Sequence, residues 1–127
     1  MDREYASILA ESDGPEPEFR QSLFVLTTIV SLGEPDRAVA NGGLKVMSAE
    51  QGKPGLDGVP GADVVAISDE HNLIRLGKES PRLQLGQQVR LIPSHCDPTV
   101  NLHDWIVAIR GDRVEEIWSV TARGASR

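Results

Sequence analysis

Hydrophobic positions along the chain fall mostly into short runs broken by Gly, Pro and charged residues, a pattern of strands rather than helices. The longest run, SLFVLTTIVSL at residues 22–32, is rich in β-branched side chains and predicts a central strand of about eight to ten residues. RAVA and then LKVMS predict short extended pieces on either side of Asn41-Gly42-Gly43, a triplet that tolerates positive φ and therefore turns. Further along, ADVVAIS, NLIRL, QQVRLIP, WIVAIR and RVEEIWSV each fit one strand. In IRGDRVEEI the apolar alternation resumes after Gly-Asp, which predicts a tight hairpin. The Gly- and Pro-rich segment 51–62, QGKPGLDGVPGA, reads as a long surface loop; its three-residue glycine spacing is too brief for a collagen helix. About seven or eight short strands, with turn residues between them and little helix, predict an all-β (mostly β) fold, either a small β-barrel or a sandwich.

Residues 1–20 depart from this pattern. DREYASILAES has helical character, but DGPEPE stops it because proline blocks continuation. A loosely ordered leader is expected over 1–20 and a β domain over 21–127. Tyr5, Ile8 and Leu9 in the leader look suited to packing on another surface.

Composition narrows the class. A chain of 127 residues builds one core, and 39% hydrophobic with 25% charged residues lies in the globular range. A net charge of −6 argues against nucleic-acid or anionic-membrane partners, which need clustered Lys and Arg. No apolar run approaches a membrane span, no basic-then-apolar leader opens the chain, and a single Cys excludes an internal disulfide. The expectation is a soluble cytoplasmic protein.

The chemistry concentrates in IPSHCDPTVNLHDW, residues 92–105. If residues 95–97 are extended, side chains two apart share a face, so His95 and Asp97 converge and Cys96 points away. An imidazole nitrogen and a carboxylate oxygen so placed can reach one Zn²⁺ or Mn²⁺, and only two protein ligands leave positions for water or substrate. The competing reading is structural, because Asp-Pro starts turns and a His beside it often makes rim hydrogen bonds. Cys96 reads as a small packing residue, His103 and Asp104 as polar contacts of the next turn, and Trp105 and Trp118 as core. Glu70 and His71 sit at a tight link between strands, either as a solvated turn or as a rim contact to a ligand. Lys45 follows a Gly-rich turn and reads as exposed rather than as a Schiff-base lysine.

SHCDPTVNLHDWIVAIRGDRVEEIW, residues 94–118, resembles the C-terminal region of D-threonine aldolases and D-serine dehydratases, which are pyridoxal-phosphate enzymes of the alanine-racemase-like fold. MDREY, SLFVLTTIVS, GLKVMS and DEHNLIRL follow in the family's order, so the resemblance runs from Met1 to about Gly124, with HCDPTVNL its most specific block. It implies a β-rich C-terminal domain in which His95 and Asp97 hold a divalent metal, Mn or Zn, beside the cofactor. The implied activity of the complete enzyme is retro-aldol cleavage of a D-β-hydroxy-amino acid to glycine and an aldehyde. Pyridoxal phosphate would serve there as electron sink, and the metal would polarise the β-hydroxyl.

The chain also departs from the family. The large barrel with its Schiff-base lysine and phosphate-binding loop is absent, none of Lys45, Lys53 and Lys78 matches the cofactor lysine, and Asn41 stands where the family carries an acid. The expectation is therefore a truncated or separately encoded C-terminal domain, with 1–20 left from the connection to a missing barrel. Such a piece resembles part of a lyase, carries no catalytic or pyridoxal-phosphate-binding residue of its own, and is inactive alone. Its expected partner is a barrel chain in trans or further copies of itself. The alternative is a non-catalytic β assembly or binding module with a vestigial metal site. A free-standing metal hydrolase is disfavoured, because two ligands without a third or a convincing base make a thin site.

Overall fold

The long apolar run becomes β1 (Val25–Glu34), in which Val25, Thr27 and Ile29 point inward while Leu26 and Val30 face out. The inward Thr27 is satisfied, since its hydroxyl donates to the Val89 carbonyl at 3.2 Å. The computed structural model describes residues 20–125, so the leader expected over 1–20 lies, apart from Arg20, outside the described residues. Seven further strands follow: β2 (Arg37–Asn41), β3 (Gly55–Asp57), β4 (Ala62–Ile67), β5 (His71–Leu76), β6 (Gln88–Ile92), β7 (Trp105–Arg110) and β8 (Arg113–Ser119). One short helix, α1 (Cys96–Val100), links β6 to β7. Among the described residues, no helix is long and apolar enough to cross a membrane.

Six strands form one antiparallel sheet in the order β3-β6-β1-β2-β5-β4. Its two ends, β3 and β4, lie against each other, so the sheet nearly closes on itself. The all-β expectation holds, in its barrel-like form. Register shifts in β1–β2 and in β4–β5 mark irregularities that help a sheet bend toward closure. Inside, Ala38 and Ala40 of β2 are fully buried and leave room for Ile29, Ile74, Leu91 and Met47.

Two local expectations are corrected. LKVMS is a turn, not a strand: the amides of Val46 and Met47 both donate to the Gly43 carbonyl at 3.0 and 3.2 Å. Its apolar residues made it look extended, yet Met47 uses the turn to enter the core. The turn needs glycine at 43, where an added Cβ would sit 2.0 Å from the Ser68 carbonyl oxygen. The expected long loop over 51–62 likewise contains a strand, β3, paired residue for residue with β6 from Gly55↔Ile92 to Asp57↔Arg90.

The predicted hairpin forms as β7 and β8, turning at Gly111 with φ +60°. It makes its own two-stranded sheet. Cross-strand pairing puts Trp105, Val107, Ile109, Val114 and Ile117 on one face, and all five are at least half exposed. Trp118, opposite Ile106 on the other face, is 50% exposed. The expectation that Trp105 and Trp118 are core is therefore wrong for the described chain, because the hairpin lies outside the barrel wall.

Burial separates the two regions by experiment. Ile74→Ala should destabilise the chain by about 2–5 kcal/mol, as for a fully buried isoleucine losing most of its side chain. Ile117→Ala on the hairpin should cost less than about 1 kcal/mol. Urea unfolding of both variants checks the contrast.

Candidate metal centre

β6 ends at Ile92, and the chain leaves the sheet through Pro93 and Ser94, both buried. His95 is still extended (φ −141°, ψ 125°) and caps α1, whose first turn contains Asp97 and Pro98. Proline is tolerated there because its missing N–H would have had no helical acceptor. The Asp-Pro pair thus opens a helical turn, and the expected extended 95–97 segment is corrected: only His95 is extended. The two side chains nevertheless converge. His95 Nε2 and Asp97 Oδ2 lie 3.8 Å apart, one at the cap and one in the first turn.

A set of hydrogen bonds from another part of the chain supports this rim. The Thr99 hydroxyl, almost fully buried, donates to the His95 carbonyl at 2.7 Å and accepts from the Ser48 amide at 3.1 Å. The buried Ser94 hydroxyl donates to the Ser48 carbonyl at 3.1 Å. His103 Nε2 donates to the Val46 carbonyl at 2.7 Å, so His103 is the polar contact expected of it. Asp104 is one too, pairing with Arg123 at 2.5 Å. Residues 46–50 are in this way fastened to residues 94–103, and Glu50 Oε1 comes to lie 2.6 Å from His95 Nδ1. Glu50 was not among the residues singled out from sequence. It stands 45 positions from His95 in a polar turn, and only the tertiary pairing reveals it.

The donors suit a divalent cation. Two atoms on one cation at about 2.0–2.2 Å lie about 2.8–3.6 Å apart across a right or tetrahedral angle. The observed 3.8 Å lies just outside that range, and Asp97 is 82% exposed. A neutral imidazole and a carboxylate are the mixed donors that Zn²⁺ and Mn²⁺ accept. Among the described residues, no group of three or more His, Cys, Asp and Glu is placed to hold a metal ion, and His95 with Asp97 forms a pair. Cys96 is half-buried at the start of α1 rather than a fully buried packing residue.

Comparison with known proteins gives the family of the chain. Residues 22–109 match the family described as "Putative serine dehydratase domain". The chain belongs to that serine dehydratase domain family. A D-threonine aldolase from Arthrobacter sp is 46% identical over all 127 residues, which cover 33% of that protein. A 3-hydroxy-D-aspartate aldolase from Paracoccus denitrificans (strain Pd 1222) is 37% identical, with 98% of this chain and 32% of that protein covered. The crystal structure of D-threonine aldolase from Filomicrobium marinum superposes with a TM-score of 0.89 at 36% identity, covering 98% of this chain and 34% of that one. A D-threo-3-hydroxyaspartate dehydratase variant in its metal-free form shares the fold at a TM-score of 0.61 and 19% identity, over 76% of this chain and 31% of that one. The chain spans about a third of the length of the curated aldolases it matches.

Within this serine dehydratase domain, the other polar candidates have structural duties. Glu70, in the bend between β4 and β5, pairs with Lys45 at 2.5 Å. Lys45's hydrogen bond and charge hold the Glu70 carboxyl below its usual range, and Glu70 raises the Lys45 amine in return. A raised amine stays protonated, the opposite of what a Schiff-base lysine needs. Asn41 uses its side-chain oxygen to accept from the Thr28 amide at 2.6 Å.

The seam itself can be tested. Thr99→Val removes the acceptor of the Ser48 amide and the donor to the His95 carbonyl, so it should destabilise the fold by about 1–3 kcal/mol. Urea unfolding gives the cost, and the NMR shifts of the His95 ring should move with it.

Proposed function

We propose that these residues form the metal-holding β domain of a D-threonine-aldolase-like lyase acting on D-β-hydroxy-amino acids. The observation that carries this reading is the convergence of His95 Nε2 and Asp97 Oδ2 at 3.8 Å on the rim of the domain. It is supported by 46% identity, along the whole chain, to a D-threonine aldolase. His95 would contribute a neutral nitrogen and Asp97 an anionic oxygen. Held by these two residues, a divalent cation would supply Lewis-acid polarisation of a hydroxyl oxygen. The Ser94–Thr99–Ser48 seam would keep His95 in place for that role.

Pyridoxal phosphate belongs, on this proposal, to a barrel region lying in the other two thirds of the relatives' length. The 127 residues alone would not cleave a D-amino acid. The apolar hairpin face formed by Trp105, Val107, Ile109, Val114 and Ile117 is the proposed seat of that barrel region, since an aldolase-length protein has the mass to cover it. The same face supports a second reading, a non-catalytic assembly module in which copies of the domain cover one another.

Titration with Mn²⁺ or Zn²⁺ should show binding by the wild-type chain and at least about a tenfold loss, ~1.4 kcal/mol, in His95→Ala and in Asp97→Ala. Equal affinity in all three proteins would remove both ligand assignments. With D-threonine, pyridoxal phosphate and Mn²⁺, the chain alone should release no glycine, whereas addition of an aldolase barrel chain should restore cleavage. Cleavage by the isolated chain would contradict the division of labour. Val107→Asp with Ile117→Lys should abolish association with the barrel chain while leaving the far-ultraviolet circular dichroism intact. A concentration-dependent homodimer in sedimentation, lost in the same double variant, would favour the assembly module.

A further inference from the structure

We infer that Glu50 is a positioning residue for the metal site, selecting the tautomer and the orientation in which His95 meets the cation. The inference rests on the proposed ligand role of His95 and Asp97 and deepens it. The Glu50 carboxylate oxygen lies 2.6 Å from His95 Nδ1, while Nε2 of the same ring is the nitrogen 3.8 Å from Asp97. An ionised carboxylate only accepts hydrogen bonds, so the contact places the imidazole proton on Nδ1. In the neutral ring the lone pair then lies on Nε2, the nitrogen on the side of Asp97. A ligating histidine commonly has its other ring nitrogen bonded to a carboxylate in this way, which fixes the ring and raises its basicity toward the metal.

Glu50 is held where it can do this. Its amide donates to the Ser48 hydroxyl at 3.3 Å, and the turn closes where the Gly52 amide donates to the Ala49 carbonyl at 3.2 Å. Gly52 has φ +105°, a conformation that favours glycine and brings the chain back past the rim. On the other side, Ser48 is bonded through both its amide and its carbonyl to the Ser94–Thr99 segment that carries His95. Donor and acceptor of the Glu50–His95 contact are therefore mounted on two backbone pieces bonded to each other. With Glu50 56% exposed, the pair contributes little to stability. What it supplies is direction: the imidazole ring, only 21% exposed, is gripped from the turn side and its second nitrogen is turned to the rim.

The test compares wild type, Glu50→Gln and Glu50→Ala in two measurements on the full 127-residue chain. Ring ¹⁵N shifts of His95, recorded without metal across a pH series that reaches the neutral ring, report the tautomer. Wild type should show the Nδ1–H form, Glu50→Gln should largely retain it through its side-chain carbonyl, and Glu50→Ala should shift toward Nε2–H. Titration with Zn²⁺ or Mn²⁺ alone should show a loss of about 10–100-fold in Glu50→Ala and a smaller loss in Glu50→Gln. An unchanged tautomer in Glu50→Ala overturns the inference, as does metal affinity within about twofold of wild type. Equal losses in Glu50→Gln and Glu50→Ala also overturn it, because they assign the carboxylate to the cation itself. If wild type binds neither metal, the ligand assignment fails and this inference with it. If His95→Ala abolishes binding while Glu50→Ala leaves it intact, only the role of Glu50 fails.

Discussion

Two buried hydroxyls, those of Ser94 and Thr99, bind the turn at residues 46–50 to the segment that leaves β6. Without them the partly buried Ser48 amide and carbonyl would lose these partners. With them, three separate demands meet at one point. Met47 reaches the core, α1 starts directly after His95, and Glu50 arrives beside the imidazole. The barrel supplies the rigid wall from which β6 emerges, but the seam decides where the rim residues point. The site is thus built on a loop crossing fastened by short polar bonds, and its geometry is more rigid than an exposed five-residue helix could achieve alone.

Much of the barrel was legible in the sequence because strand signals are local. Alternation in β1, the apolar runs of β4, β5 and β6, and the Gly-Asp hairpin turn all express the two-residue period of a strand. The failures share a cause in tertiary contact. LKVMS carries enough apolar residues for a strand, yet Gly43 must pass against the 68–70 backbone, and that contact forces a turn. β3 hides inside a Gly- and Pro-rich stretch because three residues paired to β6 need no hydrophobic pattern of their own. Trp105 and Trp118 looked like core because large aromatics usually are; their exposure follows from a hairpin that forms its own two-stranded sheet beside the six-stranded one.

The site was legible in part. His95 and Asp97 stood out because they crowd together with Pro98, and the pair does converge, although through a helical turn rather than the extended geometry first expected. Glu50 gave no signal, as an acid in a polar turn is the commonest of surface residues. The serine dehydratase domain family accounts for the fold of the chain and for its aldolase relatives. It does not by itself say what each rim residue does, and the distances around His95 carry that part of the account: a carboxylate on one ring nitrogen and a second carboxylate facing the other.

On the proposed ligand assignment, one imidazole nitrogen of this chain, that of His95, meets the cation. Electron spin-echo envelope modulation of the Mn²⁺-loaded chain reads this directly. The account predicts coupling to a single imidazole nitrogen that disappears in His95→Ala and persists in His71→Ala and His103→Ala. A spectrum without nitrogen coupling, or one that survives loss of His95, would contradict it.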